Sequence, residues 1–165
     1  MRLKVNKNQS PKPLAGDLYR SFQQLLDLRF ELKPELGPAK KVRYFTLEYI
    51  CVLVFLICRW IEVNIPDAVN AVMVTDEFLV LIEKRLFDRM IRDEKGQVQV
   101  YMQLVNERCT EYRELAGHDL NALGLRRMAA VVAQRIRSDH KKIEGFELLI
   151  GELLDRLVRY DETKK

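Results

Sequence analysis

Histidine, cysteine and glycine are scarce in this chain, and each scarcity removes a class of chemistry. Only His118 and His140 are present among 165 residues, and neither follows a glutamate by three positions. A carboxylate di-iron bundle needs a Glu-x-x-His pairing twice, so that helical metal centre is excluded. Glu111, Glu114 and His118 fall close together in EYRELAGH, but Gly117 ends the helix between them and the stretch reads as a polar turn. Cys51, Cys58 and Cys109 are an odd number without metal-ligand spacing. On one helix Cys51 and Cys58 would stand about 10 Å apart, beyond disulfide reach. They read as small buried hydrophobes in a reducing compartment, and the cytoplasm is the simplest address. Cys109 shares a seam with aliphatic residues, where burial raises a thiol's pKa and makes it inert.

Seven glycines and five prolines are few for a protein built on turns and strands, which leaves long helices as the simpler explanation. A glycine-rich phosphate loop is missing as well. The only near match, GLRR at Gly124, lacks the Gly-Lys-Ser/Thr ending and follows no strand. The basic N-terminus is not followed by an apolar run, so it is not a secretory signal. A spanning helix needs about 20 predominantly apolar residues. Tyr44 to Ile65 reaches that length only by including Glu48, Arg59 and Glu62, so it does not read as a membrane span. No pattern calls for a cofactor or a metal.

The formal net charge of +4 matches the basic arm MRLKVNKNQSPKP, where Arg2, Lys4, Lys7 and Lys12 have no acid among them. The remaining body is close to neutral and lacks the broad attraction to phosphate that basic nucleic-acid proteins use. The expected organisation is a mobile arm over residues 1–13, one helical domain over 14–161 and a short tail over 162–165. One domain is the default for a chain of this size.

Apolar residues at helical spacing define the elements. Leu18, Phe22, Leu25, Leu26 and Leu32 predict a first helix from Leu14 to about Lys33, stopped by KPELGP. The second runs from about Ala39 to Asn64, ended by Pro66. A third stretch, PDAVNAVM, leads to Thr75, placed to cap DEFLVLIEKRLFDRMI, so residues 66–92 form one helix or two. Val98, Tyr101, Met102, Val105, Cys109, Tyr112 and Ala116 share one face of a fourth helix, with Gly117 as its stop. Another covers about Leu125 to Arg137, and a last one, capped by Ser138 or Asp139, reaches Tyr160. The predicted fold is all-α: a single-domain, mostly antiparallel bundle of five to seven helices.

Three surfaces are candidates for function. The stretch YICVLVFLICRW is apolar all round in its middle turns, which suits a central core helix. Its alternative is an exposed patch at Val52 and Phe55, with Cys51 and Cys58 beside them, covered by a second subunit. In the last helix Ile143, Phe146, Ile150, Leu153 and Leu157 step by three and four as a coiled-coil seam does. The basic segment Arg126, Arg127, Arg135, Arg137, Lys141 and Lys142 is opposed only by Asp139 and could contact phosphates. A helix-turn-helix with Gly124 in its turn would make Leu125 onward a recognition helix, yet that face is alanine-rich and offers few side chains to base edges.

The leading expectation is therefore a non-enzymatic interaction, scaffold or regulatory protein that self-associates as a homo-oligomer, a dimer first, with room for a protein partner. The alternative is a nucleic-acid binder using residues 126–142 and the arm. An enzyme remains conceivable only if the fold joins Glu48, Arg59 or Tyr112 in a pocket. Beside KKVR, Glu48 reads as a solvated salt bridge.

Overall fold

The computed structural model describes residues 7–27, 39–87, 97–117 and 122–137. The expected seam from Ile143 to Leu157, together with Lys141 and Lys142, lies outside them. Helix makes up 91% of the described part and no strand occurs in it, so the chain is an all-α bundle. Its helices are α1 (Pro11–Asp27), α2 (Ala39–Asn64), α3 (Ala68–Leu81), α4 (Gln97–Ala116) and α5 (Ala122–Arg137).

Order reaches further toward the N-terminus than the proline-rich sequence suggests. Helix α1 starts at Pro11, inside the stretch expected to be an arm. Proline suits a first helical position, where its missing N–H removes no bond and its φ is already helical. The Leu14 amide donates to the Ser10 carbonyl at 3.2 Å, closing the first turn. Leu14, Ala15, Leu18, Tyr19, Phe22, Leu25 and Leu26 then form the buried face.

Helix α2 has the bounds that its sequence implies and occupies the centre. No residue from Tyr49 to Ile57 is more than 4% exposed. This decides between core and patch: Val52 and Phe55 are interior, and the expectation that they form an interface is corrected. A helix apolar all round needs neighbours on every side. Helices α1 and α3 pack against one another and against α2, while α4 packs on α2 and α5. The Tyr49 hydroxyl donates to the Leu25 carbonyl at 2.8 Å, tying α2 to the end of α1. Phe55 meets Tyr112 of α4 edge-on at 5.7 Å, and Phe22 meets Phe78 of α3 in the same way at 6.1 Å.

Three residues, Ile65 to Asp67, join α2 to α3. Asp67 is the N-cap of α3, its carboxylate accepting from the Val69 amide at 3.0 Å. Thr75 is not a cap. Its hydroxyl donates to the Ala71 carbonyl one turn back at 2.9 Å, so the chain stays helical through it. The segment is thus one helix as far as Leu81, and it continues without a break into a π-helical turn, Ile82–Phe87. Phe87 stacks on Tyr101 of α4 at 5.4 Å.

Gly117 closes α4 with φ +72°, its amide donating to the Arg113 carbonyl at 3.1 Å. That left-handed cap is the stop the sequence implies. Gly124 lies within α5 rather than in a turn, which removes the helix-turn-helix reading. A Cβ at Gly124 would lie 2.0 Å from the Ala116 carbonyl oxygen, so only glycine permits this approach of α5 to the end of α4.

Candidate functional site

Two features of the described residues exceed what packing a bundle requires. The first is a partly buried group of charges, centred on a buried Glu48, where α2, α4 and α5 meet. Glu48 is 8% exposed. Its Oε2 accepts from Arg108 Nε at 3.3 Å, and its Oε1 accepts from Arg135 Nη1 at 3.2 Å and from the Tyr112 hydroxyl. Glu111 completes the group, accepting from Arg108 Nη1 at 3.4 Å and from Arg135. Two carboxylates and two guanidiniums cancel, which is the condition for keeping charge out of water.

This arrangement corrects two expectations. Glu48 has ion-pair partners, but the contact is enclosed and joins three helices instead of lying in solvent. Arg135 points into that contact, so it is not part of a phosphate-facing surface. Arg127 is exposed. The side chains of Arg126 and Arg137 are outside the described ones, as are Lys141 and Lys142.

The electrostatics of the group favour its resting state. Burial pushes the Tyr112 hydroxyl above its ordinary range, and the Glu48 charge beside it adds to the effect. Burial also pushes the Cys51 thiol up to about 12, again with help from Glu48. For Arg135 burial opposes the charge, but its bond to Glu111 and the field of Glu48 outweigh that and raise the pKa. Tyr112 and Cys51 are thereby held neutral near pH 7, and Glu48 is occupied by its donors. Such a cluster ties α2, α4 and α5 together. Fold geometry does join Glu48 to Tyr112, by direct contact of the hydroxyl with the carboxylate. Among the described residues no three His, Cys, Asp or Glu side chains gather as metal ligands, and no helix is long and apolar enough to cross a membrane.

The second feature is α3. Its inward line, Ala71, Val74, Phe78 and Ile82, is buried. At about 100° per residue, Val69, Met73, Asp76 and Val80 form a line on the opposite side, with Val72 at its edge. Val69 is 67% exposed, Val72 60%, Met73 49% and Val80 39%. An outer helix ordinarily presents polar residues to water; this one is apolar on both sides except at Asp76. Beside the line is a cleft of about 330 Å³ lined by Ser10, Pro11, Lys12, Met73, Asp76 and Glu77.

The sequence alone passes over this face because Thr75, as a possible cap, leaves open whether residues 66–92 form one helix or two. The available signal was apolar excess: AVNAVMV between Pro66 and Thr75 has more apolar side chains than one buried stripe can use. Comparison with known proteins finds no family model, no curated protein and no solved structure that matches this chain.

Proposed function

We propose that this protein is a non-enzymatic helical interaction protein that self-associates through an apolar helix face, serving as a scaffold or regulator. The observation that carries this reading is the outer line of α3, where Val69, Val72, Met73 and Val80 lie exposed along one short helix. Isolated apolar residues on a surface need no explanation, but a contiguous set on one face marks a contact site. The charge cluster supports the same reading from the opposite direction. Its groups are consumed in holding α2, α4 and α5, while α3 itself packs on α1 and α2.

The test is the solution mass of the full chain by light scattering over a wide range of concentration, with absorbance at 260 and 280 nm followed across the peak. Mass that rises with concentration while absorbance stays protein-like is expected. A constant monomer mass would refute self-association. A peak carrying nucleic acid that is lost at high salt would move the function to the basic segment.

A further inference from the structure

We infer that α3 is the contact helix of a two-fold symmetric dimer in which two copies of α3 pack antiparallel, with Lys12 of each chain beside Glu77 and Asp76 of the other. The inference rests on the self-association reading above and specifies its partner, its surface and its direction.

The pattern of the outer line comes first. Val69, Met73, Asp76 and Val80 are spaced by four, three and four, the spacing of a coiled-coil seam. That line is nearly a palindrome about its middle. Turning a second copy end for end sets Val69 against Val80 and Met73 against Asp76, so each end of the contact closes on valine. Self-complementarity of this kind is what a two-fold interface requires of one surface.

Charge then chooses the direction. Side-by-side parallel packing would set Asp76 directly opposite Asp76 of the other chain. It would also carry the two Lys12 side chains to opposite edges, away from any acid of the contact. Antiparallel packing separates the two aspartates by about one helical turn. Under that rotation the edge of α3 bearing the cleft meets the same edge of the second copy. Lys12, Asp76 and Glu77 all line this cleft, and Lys12 and Asp76 are exposed. No ion pair links Lys12 to either acid within the chain among the described residues. The cleft lies near the middle of the helix, close to the symmetry axis, so each lysine comes within reach of the other chain's acids. A second copy thus supplies apolar cover and counter-charges together, which a generic apolar partner does not.

Size sets the strength. Helix α3 has 14 residues, about 21 Å of length. A contact of that span falls short of the roughly 800 Å² per partner of a stable interface. The dimer therefore belongs to the small interface class typical of weak, transient association.

Sedimentation equilibrium of the full chain and its variants tests this. Val69→Asp with Met73→Asp should weaken association at least tenfold while far-ultraviolet circular dichroism stays native, because both positions face water. Lys12→Glu alone and Glu77→Lys alone should each weaken it several-fold. An equimolar mixture of these two variants should associate more tightly than either alone, since the mixed dimer restores opposite charges at both symmetry-related contacts. A dimer indifferent to Val69→Asp and Met73→Asp overturns this interface and leaves self-association standing. Loss on those changes without recovery in the mixture overturns the antiparallel arrangement. A wild-type chain that stays monomeric at every concentration overturns the dimer and the self-association reading together, and assigns the face to a different partner.

Discussion

Replacing Glu48 by methionine should destabilise the protein by about 3 kcal/mol, and replacing Arg135 in the same molecule should recover about 1 kcal/mol of that loss instead of adding to it. The change removes the acceptor of the Tyr112 hydroxyl, which is fully buried, and a buried donor left unpaired costs about 1 to 3 kcal/mol. It also leaves Arg108 and Arg135 sharing Glu111 as their one carboxylate in the cluster. Breaking a fully buried pair in this way costs roughly 3 to 5 kcal/mol. Here Arg108 and Arg135 retain 27% and 25% of their side-chain exposure, so water relieves part of the excess charge and the lower end applies. Arg135→Met alone leaves Glu48 and Glu111 with Arg108, a smaller loss of about 2 kcal/mol. In the double variant Arg108 and Glu111 remain matched at 3.4 Å, and the unpaired Tyr112 hydroxyl is the main residue of the damage. The double loss should therefore be about 2 kcal/mol instead of the sum of about 5. Urea unfolding of the four proteins measures this, with midpoints shifting at constant m. In thermal unfolding the Glu48→Met loss corresponds to about 6 to 12 °C for a domain of this size. Additive losses would refute the view that these groups form one balanced unit, and a neutral Glu48→Met would refute its role in joining the helices.

The remaining predictions concern alkaline stability and two glycines. Cys51 keeps its proton in the folded state up to about 12 because it is buried, whereas in the unfolded chain it ionises near 9. Above that pH the unfolded state binds fewer protons. Stability is thus complete below about pH 9 and falls by roughly 1.4 kcal/mol per pH unit for this group until the folded thiol ionises. Urea midpoints between pH 8 and 11 should fall less steeply for Cys51→Ala; an unchanged slope would show that the thiol is not shielded. Gly124→Ala should destabilise by about 1 to 3 kcal/mol, since its methyl would meet the Ala116 backbone, where three atoms lie within 2.9 Å. Gly16→Ala, with nothing within 4 Å of the new methyl, should stabilise α1 by about 0.5 to 1 kcal/mol. Equal effects at the two positions would contradict the close approach of α5 to α4.

Local punctuation explains why the helices were legible in the sequence. Pro66 and Gly117 act through the backbone next to them, and α2 and α4 end where those residues place the ends. Interior placement of α2 was legible as one of two alternatives, because a helix apolar all round states how much cover it needs but not which chain provides it. The charge cluster was not legible. Glu48 and Arg135 are 87 residues apart, and nothing near either residue announces the other; Arg135 counted as one more charge in a basic run. The outer face of α3 was hidden by Thr75, which resembles a cap when read alone. Its hydroxyl bonds back to Ala71 only because the helix already continues through it.

The π-helical turn Ile82–Phe87 acts as a phase corrector for the chain. Five residues of regular α-helix turn by about 500°, which would carry Phe87 roughly 140° away from the direction of Ile82. Both residues are nevertheless buried, because the wider turn absorbs the surplus rotation. The rows of α3 and the stack of Phe87 on Tyr101 can therefore be set independently. The wide turn lets Phe87 anchor the chain to α4 without rotating Val69, Met73 and Val80 inward, so the molecule keeps a firm attachment at one end of this segment and an open apolar row at the other.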